Sequence, residues 1–141
     1  MMEIFAQAGV VPYRIADDVL EVLLISTSSG KHLTIPKGLI DPGFSSTETA
    51  LNEAYEEAGI QGRLLTPMIG TYHFEKWGGR CEVEVFAMAV TRVLDHWPED
   101  AERRRIWTFF RHAAVRVKHP DLGALILTLP DRLTQDAART R

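Results

Sequence analysis

The stretch "PKGLIDPGFSSTETALNEAYEEAGI", residues 36–60, decides how the rest of the chain is read. Pro36 stops a short apolar run, and the spacing of apolar residues then changes from that of a strand to that of a helix. Ser45 followed three residues later by Glu48 has the form of a capping box, so a helix is expected from about Ser46 to Ala58. Leu51, Ala54, Tyr55 and Ala58 recur at helical spacing as its core-facing stripe, and Gly59 is placed to end it. At ~100° per residue, Glu53, Glu56 and Glu57 share one face away from that stripe.

Such a face is costly by itself. Like charges three or four residues apart destabilise a helix by about 0.2–0.5 kcal/mol per pair, and the second half of a helix disfavours anions. A solvated helix usually sets Lys or Arg four residues away, but Thr49, Asn52, Ile60 and Gln61 stand there. A hard divalent cation would supply the missing charge, because carboxylate oxygens are what Mg²⁺ prefers. Spacing alone leaves a plainly hydrated acidic face as the alternative.

On either side of the helix the chain reads as strands. "AGVVPYRI" and "VLEVLLIST" flank the polar turn "ADD" as a hairpin, "STSSGKH" is a loop, and "LTIP" is a short strand. "RLLTPMIGTYHFEK" and "RCEVEVFAMAVTRVL" are strands joined by a tight turn at "WGG". "RIWTFF" is one more strand, "RHAAVRV" a helical turn or two, and "PDLGALILTL" a helix begun by Pro120. Strands before and after a helix, with a second helix late in the chain, predict an α+β fold with a mixed sheet and helices on its faces.

Composition narrows the partners. A chain of 141 residues is read as one domain, residues 1–141, and its net charge of −3 gives no general attraction for nucleic acid or anionic lipid. Cys81 is alone, which excludes an intramolecular disulfide and predicts a cytoplasmic protein; in "CEVEVFAMAV" it is expected to be a small buried hydrophobe. The N-terminus has no basic segment followed by a long apolar run, and no stretch reaches the ~20 apolar residues of a spanning helix, so neither a signal peptide nor a membrane is expected.

"GLIDPGFSSTETALNEAYEEAGI" resembles the Nudix box, the signature of the Nudix hydrolases. Gly38 opens it, Glu53 is the first helix Glu, Glu56 and Glu57 are the Glu pair, and Gly59-Ile60 closes it. "PKG" and "PG" also match its usual lead-in. The resemblance implies a Nudix α/β/α sandwich and a metal-dependent pyrophosphatase acting on phosphoanhydride bonds. It implies Mg²⁺, with Mn²⁺ as a substitute, held by Glu53, Glu56, Glu57 and the backbone at Lys37 or Gly38. Glu56 is either a ligand or the general base. Two positions depart: Phe44 and Asn52 stand where the family carries a Glu and an Arg expected to pair, and Phe44 is expected to pin its loop by burying its ring instead.

"LLISTSSGKHLTIPKG", before the box, and "VEVFAMAVTRVLDHWPED" with "RRRIWTFF", after it, resemble the diphosphoinositol polyphosphate phosphohydrolase branch. The implied substrates are small molecules: diphosphoinositol polyphosphates, dinucleoside polyphosphates or related nucleotides. The departures at Phe44 and Asn52 favour a different class, a module that binds such a ligand without turnover. Lys31, Lys37, Arg80, Arg103 and Arg105 are the candidate phosphate-binding cations. Alternation points Arg103 and Arg105 the same way and Arg104 the other, and a solvated basic strand edge is the competing account. His73, His96, His112 and His119 show no metal-ligand spacing. Trp107 is expected in the core, and Glu82 and Glu84 on a polar sheet face.

Overall fold

The computed structural model describes residues 1–139. Two long strands organise it: β1 (Ile4–Ala16) and β7 (Gly79–Val93) run parallel through the middle of an eight-stranded mixed sheet. Strand β2 (Val19–Ser26) follows β1 through a tight turn at Asp17 and Asp18, both at positive φ (50° and 63°), as a two-residue hairpin turn requires. Beyond it, β3 (Leu33–Thr34) and β8 (Arg105–Phe109) both pair with β2. On β7's other side lie β5 (Ile60–Leu64) and β6 (Gly70–Lys76). The β6–β7 turn places Trp77 at φ 56° and Gly78 at φ 70°, the tight turn expected at "WGG".

Alternation along the central strands feeds two cores. Val83, Val85 and Ala87 face one side with Val11 and Tyr13, beneath α2 (Phe110–Arg116), α3 (Pro120–Leu127) and α4 (Leu129–Arg139). Phe86 and Met88 face the other with Ala8 and Val10, beneath α1 (Ser46–Ala58). This is the three-layer arrangement expected. Cys81 is fully buried within it.

The stripe by which α1 packs keeps Ala54 and Ala58 of the expected row but not Leu51 and Tyr55. Ala50, Ala54 and Ala58 are buried, whereas Leu51 and Tyr55 are 40% and 42% exposed. Three alanines four residues apart form a flat surface that lets the helix lie close on the sheet, and the larger side chains are left at its margin. The shift rotates Glu57 toward the core. Strand β1 also changes partner along its length: Gln7, Ala8 and Gly9 pair with the short β4 (Lys37–Leu39), and Tyr13 to Ala16 pair with β2. Gln7 of β1 and Lys37, Gly38 and Leu39 of β4 line the main cavity.

Candidate active site

Helix α1 is fixed at both ends. At its start, Ser45 Oγ accepts from the Glu48 N–H at 3.1 Å and Glu48 Oε1 accepts from the Ser45 N–H at 3.0 Å, the capping box read from sequence. Ser46 Oγ donates to Glu84 Oε2 at 2.6 Å, which ties the first turn to β7. At its end Gly59 takes the left-handed conformation, φ 63°. The last carbonyls, which have no partner inside a helix, are met by residues 94–105. Glu56 O accepts from the Glu99 N–H at 3.1 Å and Glu57 O from Trp97 Nε1 at 3.0 Å. Ala58 O accepts from Arg105 Nη1 at 3.1 Å, and the Arg105 guanidinium lies 3.8 Å above the Trp97 ring. A Cβ on Gly59 would meet that ring at 2.7 Å, so glycine is required there twice over.

The relief that local sequence denied to the acidic face comes from far along the chain. Glu57 Oε2 accepts from Arg103 Nη2 at 3.0 Å, and its Oε1 accepts from the Lys37 N–H at 3.0 Å. Both side chains of the ion pair are 12% exposed. Arg103 is itself held by Glu99 Oε1 at 2.9 Å and Ser26 O at 3.0 Å. Burial still raises the Glu57 carboxyl above its ordinary value, against the lowering effects of the Lys37 N–H and Arg103.

Glu53 has less relief. Among the described residues it makes no hydrogen bond or ion pair, and burial, then the charges of Glu57, Glu56 and Glu99, push its carboxyl up to about 7 against the lowering charge of Lys37. Its carboxylate lies against Gly38, where any Cβ would collide with Oε1. Lys37 beside it is depressed by burial. These groups open on a cavity of about 570 Å³, within the range of small-molecule sites, which is also lined by Gln7, Thr34, Phe74, Lys76, Lys118 and His119.

Among the described residues no three His, Cys, Asp or Glu side chains converge tightly enough to hold an ion alone. The available donors are nevertheless hard oxygens: an unneutralised Glu53, the free lone pairs of Glu57, and backbone drawn close at Gly38. Such a set fits Mg²⁺ completed by water and substrate phosphate oxygens.

Lys37, Gly38, Glu53, Glu57 and Arg103 are thus brought together. Glu56 is exposed and outside the cavity lining. Lys31 and Arg105 line a second cavity, of about 610 Å³, with Arg104 and Arg116, and Arg80 is exposed outside both. Arg103 and Arg105 do point the same way, toward the end of α1, where Arg103 holds the Glu57 carboxylate and Arg105 the Ala58 carbonyl. Phe44 is half exposed, so burial of its ring does not pin the loop. Sequence reading missed Lys76, Lys118 and His119 as cavity residues. His119 stacks on Phe74 with ring centroids 4.9 Å apart. Its position just before the Pro120 helix start was the available signal.

Metal-free stability should carry the mark of Glu53. A carboxyl whose pKa is raised from 4.5 to about 7 binds its proton more tightly folded than unfolded, so ionising it costs stability. In chelator, Tm should therefore fall as pH rises through that window and level off above it. Glu53→Gln should show a flatter profile; identical slopes in the two proteins would refute this assignment.

The sheet, the helix and the cavity define a Nudix hydrolase, and the chain belongs to that family: residues 6–126 match the NUDIX domain. It is 33% identical over 131 residues to Nudix hydrolase 16, mitochondrial, of Arabidopsis thaliana, across 80% of this chain and 72% of that protein. It is 43% identical over 58 residues to the asymmetrical bis(5'-nucleosyl)-tetraphosphatase of Sus scrofa, across 40% of each. Its fold superposes on a binary complex of the C. elegans Ap4A hydrolase with a TM-score of 0.77 and 25% identity, covering 93% of this chain and 98% of the other. The chain spans about three fifths of the length of several further plant relatives. Mitochondrial names among these relatives lend no support to the cytoplasmic compartment expected from Cys81. No helix among the described residues is long and apolar enough to cross a membrane.

Proposed function

We propose that the protein hydrolyses phosphoanhydride bonds with Mg²⁺, and that dinucleoside polyphosphates are its substrates ahead of diphosphoinositol polyphosphates. The observation that carries this reading is Glu53: a half-buried carboxylate that makes no ion pair, set against Gly38 and near Glu57 in a cavity whose other walls carry Lys37, Lys76 and Lys118. A negatively charged cation site beside positive walls suits a polyphosphate that arrives with a divalent ion. Mg²⁺, when bound, neutralises phosphate charge and makes water a better nucleophile. Glu53 and Glu57 would hold it, with backbone oxygen near Gly38. Arg103 keeps Glu57 in place, and the lysines orient the phosphate chain. Glu56, hydrated and near enough to raise Glu53, is assigned the proton-accepting role. The names of the Sus scrofa and C. elegans relatives support the dinucleoside choice.

A panel of diadenosine polyphosphates, nucleoside diphosphate conjugates and diphosphoinositol polyphosphates, read by mass with Mg²⁺ and with chelator, tests the reading. Release of mononucleotide products only with Mg²⁺ is the expected result. Tight binding with no products would make the chain a binding module instead. Glu56→Gln should lower kcat and keep the Mg²⁺-dependent rise in Tm; loss of both would make Glu56 a ligand.

A further inference from the structure

The second cavity, of about 610 Å³, lies across a loop from the main one. Backbone contacts bring several parts of the chain together there. The end of β2 meets the start of β8 where the Ser26 N–H donates to Arg104 O at 3.0 Å. The residues that follow α2 meet β3 through a bridge between Val117 and Leu33, and the Lys118 N–H donates to Leu33 O at 3.0 Å. Loop 27–32 closes on itself: the Thr27 N–H donates to His32 O and the Gly30 N–H to Thr27 O, both at 2.8 Å. That loop is a shared wall. Thr27, Ser28 and Ser29 line the main cavity, whereas Gly30, Lys31 and His32 line the second.

The charges gathered there are of one sign. Lys31, Arg104, Arg105 and Arg116 line the second cavity, and among the described residues no Asp or Glu does. With 19 Asp and Glu against 16 Lys and Arg in the chain, a surface that mixes the two signs would place a carboxylate among them. Arg103, one residue earlier, has Glu57 and Glu99 as partners. Lys31, Arg104 and Arg116 make no ion pair among the described residues. Arg105 spends its Nη1 on Ala58 O and Leu94 O, and Arg104 Nη2 donates to Gly30 O at 3.4 Å. The α2 dipole accounts for Arg116, a cation in its last turn, but not for Lys31 or Arg104. Cations collected round one hollow repel one another until an anion joins them. Guanidinium forks match the paired oxygens of a phosphate. One phosphate brings at most about two negative charges, fewer than these three cations, so a ligand with more than one fits the set. The hollow is of small-molecule size, and no Phe, Tyr or Trp lines it, so it lacks the stacking platform of a nucleic-acid site.

We propose that this cavity is a second anion site, separate from the main one, which takes a small ligand bearing two or more phosphate groups on Lys31, Arg104 and Arg116. Its lining includes neither Glu53 nor Glu57, so the ligand is held there without being cleaved. The site stands whether or not the main cavity turns over dinucleoside polyphosphates.

The test is a titration of isotope-labelled protein with inorganic pyrophosphate in chelator, followed by amide NMR. Shifts are expected at Gly30, Lys31, Leu33, Arg105 and Arg116, and the affinity they report should weaken as NaCl is added. In Lys76→Gln/Lys118→Gln, which strips cations from the main cavity, those shifts should persist. In Arg104→Gln/Arg116→Gln the affinity at the same amides should fall about tenfold or more, while Tm without ligand holds. No response at these amides in wild type, or one that vanishes with the lysine pair and survives the arginine pair, would overturn the site. Turnover of diadenosine tetraphosphate should stay near wild type in the arginine variant; a loss parallel to the loss of binding would make these residues part of the substrate site and overturn its separateness. A single-stranded oligonucleotide bound through Arg104 and Arg116, with no response to pyrophosphate, would overturn the small-ligand class. The wild-type titration and the single Arg104→Gln variant decide the matter even where the double variant fails to fold.

Discussion

Gly38→Ala is expected to lower turnover by about 10²-fold with little change in Tm. The added methyl would occupy the place of the Glu53 carboxylate, meeting Oε1, Cδ and Oε2. That carboxylate is the far end of a flexible side chain, so the fold can yield by turning Glu53 outward. Neither helix nor sheet needs to move. What is lost is the position of an oxygen donor, and a misplacement of ~1 Å is enough to cost two orders of magnitude in an oriented reaction. Glu53→Gln provides the comparison: both variants should also lose most of the Mg²⁺-dependent rise in Tm. An active Gly38→Ala enzyme would show that Glu53 does not act from the position seen here.

Arg103→Met is expected to destabilise the protein by about 3–5 kcal/mol, because it leaves a buried carboxylate without its partner. Glu57 would then retain one backbone hydrogen bond, from Lys37, while burial continues to oppose its charge. Against a total stability of roughly 5–15 kcal/mol this is a large share. The double variant Arg103→Met/Glu57→Gln should recover much of the loss, since no buried charge is stranded. Chemical denaturation of the four proteins measures the coupling. Additive losses would mean that Arg103 acts through Glu99 and Ser26 rather than through Glu57.

The signature stretch carried most of the fold because its information is local. Ser45, Glu48 and Gly59 state where a helix starts and stops, and both caps are present. The polar turns "ADD" and "WGG" likewise marked hairpins through their own backbone needs. Two kinds of error remained. Leu51 and Tyr55 are hydrophobic at helical spacing, so periodicity assigned them to the core. The sheet instead selected the smaller Ala50–Ala54–Ala58 row, a choice that depends on the opposite surface. The pairing of Glu57 with Arg103 spans 46 residues and could not be read from neighbours. The cavity cations were missed for a similar reason: Lys31 was chosen for its place beside the strand that enters the box and Arg105 by strand alternation, whereas Lys76 and Lys118 reach the cavity from the end of β6 and the approach to α3.

The parallel pairing of β1 with β7 has a consequence for how the chain is made. Residues 4–13 find their partners only at residues 80–89, and the seal on the Glu helix comes later still, from residues 94–105. While synthesis proceeds from the N-terminus, β1 keeps one unsatisfied edge and the helix keeps bare carbonyls until nearly three quarters of the chain has emerged. Pairings this distant in sequence slow folding, and an open strand edge is what other chains add to. The order of emergence therefore makes the nascent protein most vulnerable to association before β7 appears, and the site is assembled among the last parts of the fold.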